Sequence, residues 1–269
     1  MPPAIETHEL TRRFDTLTAV DSLSMDIQGG EVFGLLGPNG AGKTTTIKML
    51  ITLLPPSSGT ARVAGHDIRH DPRLVRRSIG YVPQLLSSDG ALTARENLMT
   101  SARLYHLPTT ERKPRIDEAL EFMALENAAD RLVRTFSGGM IRRLEIAQAM
   151  LHRPEVLFLD EPTVGLDPTA RKTVWGHIRE LRKAAGTTIL LTTHYMDEAA
   201  ERCGRVGFMH LGKLVAIGTP EELSAQAGKG KSLDDAFTYF TGSELSEAGE
   251  QGGQFRDVAR TRRTARRLG

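Results

Sequence analysis

Short apolar runs alternate with one-sided amphipathic stretches along most of this chain. Glu31-Val-Phe-Gly-Leu-Leu36 is short, apolar and strand-like. After a glycine-rich loop, residues 44–54 carry Ile47, Leu50, Ile51 and Leu54 on one side, a spacing that predicts a helix stopped by Pro55-Pro56. Up to about residue 65, short apolar strands are punctuated by Gln28-Gly-Gly30 and Pro56-Ser-Ser-Gly59, and Ile79-Gly-Tyr-Val-Pro-Gln84 reads as a further strand. The pattern changes over 92–151. Leu98, Ala102 and Tyr105, then Ile116, Leu120 and Met123, recur at helical spacing without strand signals, so this stretch reads as a mostly helical insertion. Beyond it come a buried-type strand at 156–159, a helix at 175–185, a strand at 187–192, a helix at 196–202, and a closing hairpin of 206–209 with 213–217 around His210-Leu-Gly212. This alternation predicts an α/β core with a mainly parallel sheet. No internal repeat is visible, so each candidate motif occurs in a single copy.

Composition narrows the classes. With 269 residues the chain has room for one large domain, or one with a subdomain, and for a substantial core. A formal net charge of +2 gives no argument for a nucleic-acid partner. The single cysteine, Cys203, excludes an internal disulfide and fits a reducing compartment. No apolar run approaches the roughly 20 residues that span a bilayer. The N-terminal residues have neither a basic flank nor an apolar stretch, so no signal peptide is expected. The expectation is a cytoplasmic chain that meets a membrane only through its surface or a partner.

Chemistry concentrates in three places. Gly37-Pro38-Asn39-Gly40-Ala41-Gly42-Lys43-Thr44 lies between the predicted strand and helix. Glycines let backbone N–H groups close around phosphates, and the helix N-terminus adds partial positive charge. Lys43 is placed to reach the β- and γ-phosphates, and the Thr44 hydroxyl to hold Mg²⁺. Such a loop needs a carboxylate on a nearby strand, and Val156-Leu-Phe-Leu-Asp160 ends in one, with Glu161 directly after it. One carboxylate serves the metal while the next polarises an attacking water. Finally, Phe136-Ser137-Gly138-Gly139-Met140 precedes a run with apolar residues at 141, 144, 147 and 151. Ser137 and the two glycines therefore sit at a helix N-terminus, a second anion-binding site. One chain does not need two such sites for one phosphate loop. Two chains facing head to tail do, each closing on the γ-phosphate held by the other.

In combination these motifs resemble the nucleotide-binding subunit of an ABC transporter, from about Glu6 to Gly242. Residues 37–44 match the Walker A loop, with Thr45 beside it, and Leu157-Phe-Leu-Asp160-Glu161 matches Walker B with its catalytic glutamate. Phe136 to Met140 is similar to the family signature, with Met140 in place of the common Gln and Phe136 in place of the opening Leu; this variant resembles daunorubicin-resistance-type exporters. The resemblance assigns Gln84 to the loop that senses the metal and the attacking water, and Asp167 in Gly165-Leu-Asp167 to the loop joining the two sites. It makes His194 the switch that contacts the γ-phosphate and Phe14 the ring that stacks on adenine.

The fold so implied is a P-loop NTPase. It has a RecA-like core with a mainly parallel sheet, an antiparallel N-terminal β-subdomain, and a helical subdomain at about 85–150. A nucleotide-binding domain is expected over 6–236 and a short C-terminal extension with a basic tail over 237–269. The activity implied is Mg²⁺-dependent ATP hydrolysis, with Lys43, Gln84, Glu161 and His194 in catalytic roles and Thr44, Gln84 and Asp160 toward the metal. The partners implied are a second copy of the subunit and a separate transmembrane permease, docking near Gln84 and the helical subdomain, around Leu85 to Leu98, at the cytoplasmic face of the membrane. The alternative is a soluble ABC ATPase outside transport; such relatives usually carry two cassettes in one chain or a long coiled-coil insertion, and neither is present. Two readings stand for the tail, which carries Arg256, Arg260, Arg262, Arg263, Arg266 and Arg267: contact with anionic headgroups or the permease, or a solvated extension.

Overall fold

The computed structural model describes residues 2–242. The arginine-rich tail lies outside the described residues. The chain opens with a long hairpin, β1 (Ile5–Phe14) and β2 (Leu17–Ile27), and then β3 (Val32–Leu36) runs through the glycine loop into α1 (Lys43–Leu50). Strands β4 (Ser58–Val63) and β5 (His66–Asp67) return to the hairpin, and α2 (Pro72–Ser78) leads to β6 (Ile79–Val82). The insertion holds α3 (Ala94–Leu104), α4 (Thr109–Phe122) and α5 (Gly138–Met150). After it follow β7 (Val156–Asp160), α6 (Pro168–Ala185), β8 (Thr188–Thr193), α7 (Met196–Arg202), β9 (Arg205–His210), β10 (Lys213–Gly218), α8 (Pro220–Ala227) and α9 (Leu233–Thr241).

The strands form two sheets. The four-stranded sheet, β2-β1-β4-β5, is antiparallel; the six-stranded sheet, β10-β9-β3-β8-β7-β6, is parallel except for the β9–β10 hairpin at one edge. The α/β architecture expected from the pattern is the one observed. Register decides where the chemistry falls. Leu36 stands opposite Thr193, and Asp160 opposite Thr192. The C-terminal ends of β3, β7 and β8 therefore lie level, so the loops that follow them share one edge of the sheet, where ligands of open α/β sheets bind.

Helix α1 lies in the layer between the two sheets. Its Ile47 and Leu50 join a core with Val20 and Ile27 of the antiparallel sheet and Phe33, Phe158 and Leu190 of the parallel one. The opposite face of the parallel sheet, through Leu157, Leu159, Ile189 and Leu191, packs on Leu144, Trp175 and Phe237 of the helices. The central strands are buried on both faces, which is why they read as unbroken apolar runs. Each fully buried side chain such as Phe158 contributes about 1.5–3 kcal/mol over its exposed state.

Several strand ends shift by a residue or so from the sequence reading, and three boundaries involving helices differ more. Helix α1 stops at Leu50 rather than 54: Thr52 N–H donates to Met49 O and Leu53 N–H to Lys48 O with Thr52 at φ 63°, a left-handed cap that turns the chain before the prolines. Helix α6 begins at Pro168 rather than 175, because the Asp167 carboxylate caps it by accepting from Thr169 N–H and Ala170 N–H, both at 3.0 Å. Helix α9 runs across the expected 236/237 division, and Phe237 is buried edge-on against Phe208.

Candidate nucleotide site

The glycine loop is shaped by conformation and by space. Gly37, Gly40 and Gly42 have φ of 155°, 82° and 105°, values that side chains resist. A Cβ on Gly37 would lie 2.2 Å from Met209 O, and one on Gly42 2.5 Å from Ala19 O. Pro38 and Ala41 are buried under the loop, whereas Asn39 and Gly40 face solvent. Helix α1 starts at Lys43 with no side-chain cap, so its first amides are open to an anion. Thr44 and Thr45 follow, half-buried, and Thr46 Oγ1–H donates to Gly42 O at 3.1 Å.

Lys43 is 6% exposed. Its Nζ donates to Gly37 O at 2.7 Å and Pro38 O at 3.1 Å, and pairs with Glu161 Oε1 at 3.2 Å. Burial draws the Lys43 ammonium below its ordinary pKa, opposed by the charges of Glu161 and Asp160. Glu161 is 4% exposed, and its other oxygen lies 3.0 Å from His194 Nδ1. Burial by itself raises the Glu161 carboxyl, but the His194 hydrogen bond and the Lys43 charge outweigh it and hold it below the usual range. Glu161 has φ 50°, a left-handed conformation costing about 1–3 kcal/mol in a non-glycine residue. Its N–H donates to Thr192 Oγ1 at 3.0 Å, and the Thr192 hydroxyl donates to Asp160 Oδ1 at 2.6 Å. The same Asp160 oxygen accepts from Thr44 Oγ1 at 3.1 Å. The structure thus brings Lys43, Thr44, Asp160, Glu161 and His194 into one hydrogen-bonded cluster.

The remaining predicted residues lie apart from that cluster. Ser137 caps α5, its hydroxyl accepting from Met140 N–H at 3.3 Å. Gly139 faces the start of α6 so closely that a Cβ there would meet Ala170 Cβ at 2.7 Å. A cavity of about 220 Å³ lies between the two helix starts, lined by Ser137, Gly139, Met140, Asp167 and Thr169 among others. None of these residues belongs to the Lys43 cluster. Gly138 is on the same turn, where a Cβ would meet Leu166 Cδ2 at 3.5 Å. Gln84 follows β6; its side chain is exposed and joins none of the hydrogen bonds around Asp160 and Glu161. Phe14 is half-exposed at the tip of the first hairpin, with the Arg12 guanidinium 4.5 Å from its ring centroid. The return strand of that hairpin carries Ala19 against Gly42.

Sequence reasoning missed several participants. Thr192 links the Asp160 carboxylate to the Glu161 backbone N–H, and its only signal was a hydroxyl at the end of an apolar strand. Glu198 gathers Thr163 Oγ1–H at 2.8 Å, Trp175 Nε1–H at 3.0 Å and Arg171 at 3.1 Å just beyond His194. Arg142 and Glu145 are buried on α5, and only their opposite charges three residues apart hinted at a pair.

A strand-loop-helix phosphate cradle on a parallel sheet, with a carboxylate pair at the end of β7, one strand removed from β3, defines a P-loop nucleotide-binding ATPase. The ABC transporter family matches residues 20–164, and the chain belongs to that family. The daunorubicin/doxorubicin resistance ATP-binding protein DrrA of Streptomyces peucetius is 47% identical over 84% of this chain and 68% of its own length. The Nod factor export ATP-binding protein I of Burkholderia thailandensis is 45% identical over 81% of this chain and 72% of its own. A solved ATP-binding subunit of an ABC transporter shares the fold with a TM-score of 0.79 and 30% identity, over 88% of this chain and 99% of that one. The protein is an ATP-binding, ATP-hydrolysing subunit of an ABC transporter. Among the described residues no helix is long and apolar enough to cross a membrane.

Proposed function

We propose that this chain powers export of drugs, antibiotics or related hydrophobic compounds, as a head-to-tail dimer bound to a separate permease at the cytoplasmic face of the membrane. The observation that carries the catalytic part is the Glu161 carboxylate, buried between Lys43 and His194 in the same cluster as Asp160. The triphosphate competes for Lys43 and the α1 amides, releasing Glu161 to orient water and take its proton while His194 holds the second carboxylate oxygen. Thr44 Oγ1 and Asp160 Oδ1, 3.1 Å apart, are hard oxygen donors of the kind Mg²⁺ takes, and the described residues hold no cage of three or more His, Cys, Asp or Glu. Residues of this kind fit a metal shared with substrate phosphates, with the exposed Gln84 amide as a third donor. When bound, Mg²⁺ supplies neutralisation of charge on the phosphate oxygens.

The dimer reading is supported by the two separate groups of residues. Ser137, Gly138, Gly139 and Asp167 are held at helix starts away from Lys43, so a second chain facing this one head to tail completes each site. Phe14 provides the face for adenine, its other side backed by Arg12. Docking of the permease beside Gln84 is supported by Leu85, Leu86 and Leu104, which are exposed at 81%, 48% and 73%, next to a groove of about 370 Å³. The export reading is supported by the resistance and export proteins that the chain resembles over most of its length.

The test is reconstitution with the membrane subunit in inside-out vesicles, with daunorubicin as the probe. ATP-dependent accumulation that disappears with Glu161→Gln is expected. ATP hydrolysis with no accumulation of any of a panel of hydrophobic drugs would overturn the export reading and leave the ATPase reading in place.

A further inference from the structure

We infer that Arg142 and Glu145 are a positioning pair that fixes the backbone of Gln84 and ties it to the helix beginning at Ser137. Arg142 is 1% exposed and Glu145 3%. They meet at 3.0 Å, one turn apart on α5. From Arg142, Nη1 donates to Pro83 O at 2.6 Å and Nη2 to Gln84 O at 2.8 Å. The Glu145 carboxylate accepts from the Ser87 N–H, and from the Ser87 hydroxyl at 3.1 Å. One buried pair therefore grips both ends of the short segment 83–87, which carries Gln84 and the exposed Leu85 and Leu86.

This pair is a poor choice if stability is its only purpose. Arg142 Nε is buried with no hydrogen-bond partner among the described residues. Burial draws the Arg142 guanidinium down and pushes the Glu145 carboxyl up, each against its own ionisation. Apolar residues of similar volume often replace such pairs at no loss of stability. An apolar pair cannot supply a planar fork with two donors aimed at successive carbonyls. Arg142 and Glu145 sit inside a continuous helix, so any shift of its Ser137 end carries the Gln84 carbonyl with it. In the split-site reading that end meets the nucleotide of the second chain. Closure of the dimer then sets the position of Gln84 at the first chain's metal and water, and permease movement at Leu85 and Leu86 feeds back along the same path. The inference rests on the proposed role of Gln84.

The experiment uses the full-length chain in steady-state ATPase assays with ATP and Mg²⁺ varied separately. The Arg142→Met/Glu145→Met double variant should melt within about 3 °C of wild type. It should keep its KM for ATP within about twofold and lose kcat by about 10- to 100-fold, the scale of a small misplacement at a reacting centre. Arg142→Lys should lose kcat in the same way, because one ammonium cannot span both carbonyls; should the double variant not fold, this variant decides. Combined with Gln84→Ala, the Arg142→Lys loss should be much less than additive, since both act through one group. Full kcat in the Arg142 variants, additive losses, or a parallel fall in kcat, ATP affinity and melting temperature would overturn the inference. If Gln84→Ala alone keeps wild-type kcat and Mg²⁺ dependence, the reading of Gln84 fails first. If Gln84→Ala is impaired and the Arg142 variants are not, only the positioning pair fails.

Discussion

Replacing Glu161 by glutamine separates the two tasks that its position gives it. The carboxylate holds Lys43 at 3.2 Å through one oxygen and meets His194 at 3.0 Å through the other. The amide keeps the shape and removes the charge. Lys43 keeps its charge, so its hydrogen bond to the amide stays charge-assisted; loss of the second charge moves it from the top of the range of about 1.5–3 kcal/mol toward the bottom and weakens the grip on Lys43 by about 1–1.5 kcal/mol. ATP competes with that grip, and its Kd should tighten by about tenfold. Turnover should move the other way. Loss of a general base costs about 10²–10⁴-fold, which is about 2.7–5.5 kcal/mol of activation free energy. Calorimetric titration with ATP and Mg²⁺, phosphate release by the same preparation, and gel filtration in ATP read the three quantities. Tight binding, slow turnover and an ATP-dependent dimer are expected. Turnover reduced by less than about tenfold, or binding weakened alongside turnover, would mean that Glu161 shapes the loop and does not activate water.

Ser137→Arg and Lys43→Ala should each abolish hydrolysis as homodimers, and a mixture should regain activity through the one heterodimeric site that has both halves intact; wild-type turnover in the Ser137→Arg homodimer would end the split-site reading. Phe14→Ala should weaken ATP by a few-fold, from a stacking contribution of about 0.5–1.5 kcal/mol, with kcat at saturation unchanged in a phosphate-release assay. Burial holds His152 below its ordinary 6.5 while its ring bonds Ile79 O. Its contribution to stability is therefore full above pH 6.5 and is lost as the pH falls toward the lowered folded value. His152→Gln should lower the urea midpoint at neutral pH but shrink the further drop on going to about pH 5.5, and an unchanged drop would refute the assignment.

The parts of the site that were legible in the sequence are contiguous runs. The phosphate loop and Asp160-Glu161, which the fold brings together, each need their residues adjacent, and each sits where a predicted strand or helix begins or ends. The parallel core was legible for a similar reason, since strands covered on both faces leave unbroken apolar runs. Thr192 was hidden because its partners come from β7, brought level only by strand register. Arg142 and Glu145 were hidden because their α5 positions read as the solvent face; the 83–87 segment folds back over them and buries the charges. Asp167, expected in the loop joining two sites, also caps a helix. Asp-Pro is a helix-start signal, and it starts α6 well before Val174 and Trp175, the first buried residues of that helix.

Met209 and Ala19 close on the phosphate loop from two directions, one carbonyl from β9 and one from the first hairpin. A loop confined in this way acquires its binding geometry as the two sheets come together on α1. Its backbone should hold one conformation in nucleotide-free protein, while its open amides exchange readily with deuterium and become protected only when ATP occupies them. ATP then meets a receptor whose ordering cost was met during folding. What ATP can still change is the placement of Gln84 and Ser137 relative to that loop, where a second chain and a permease are expected.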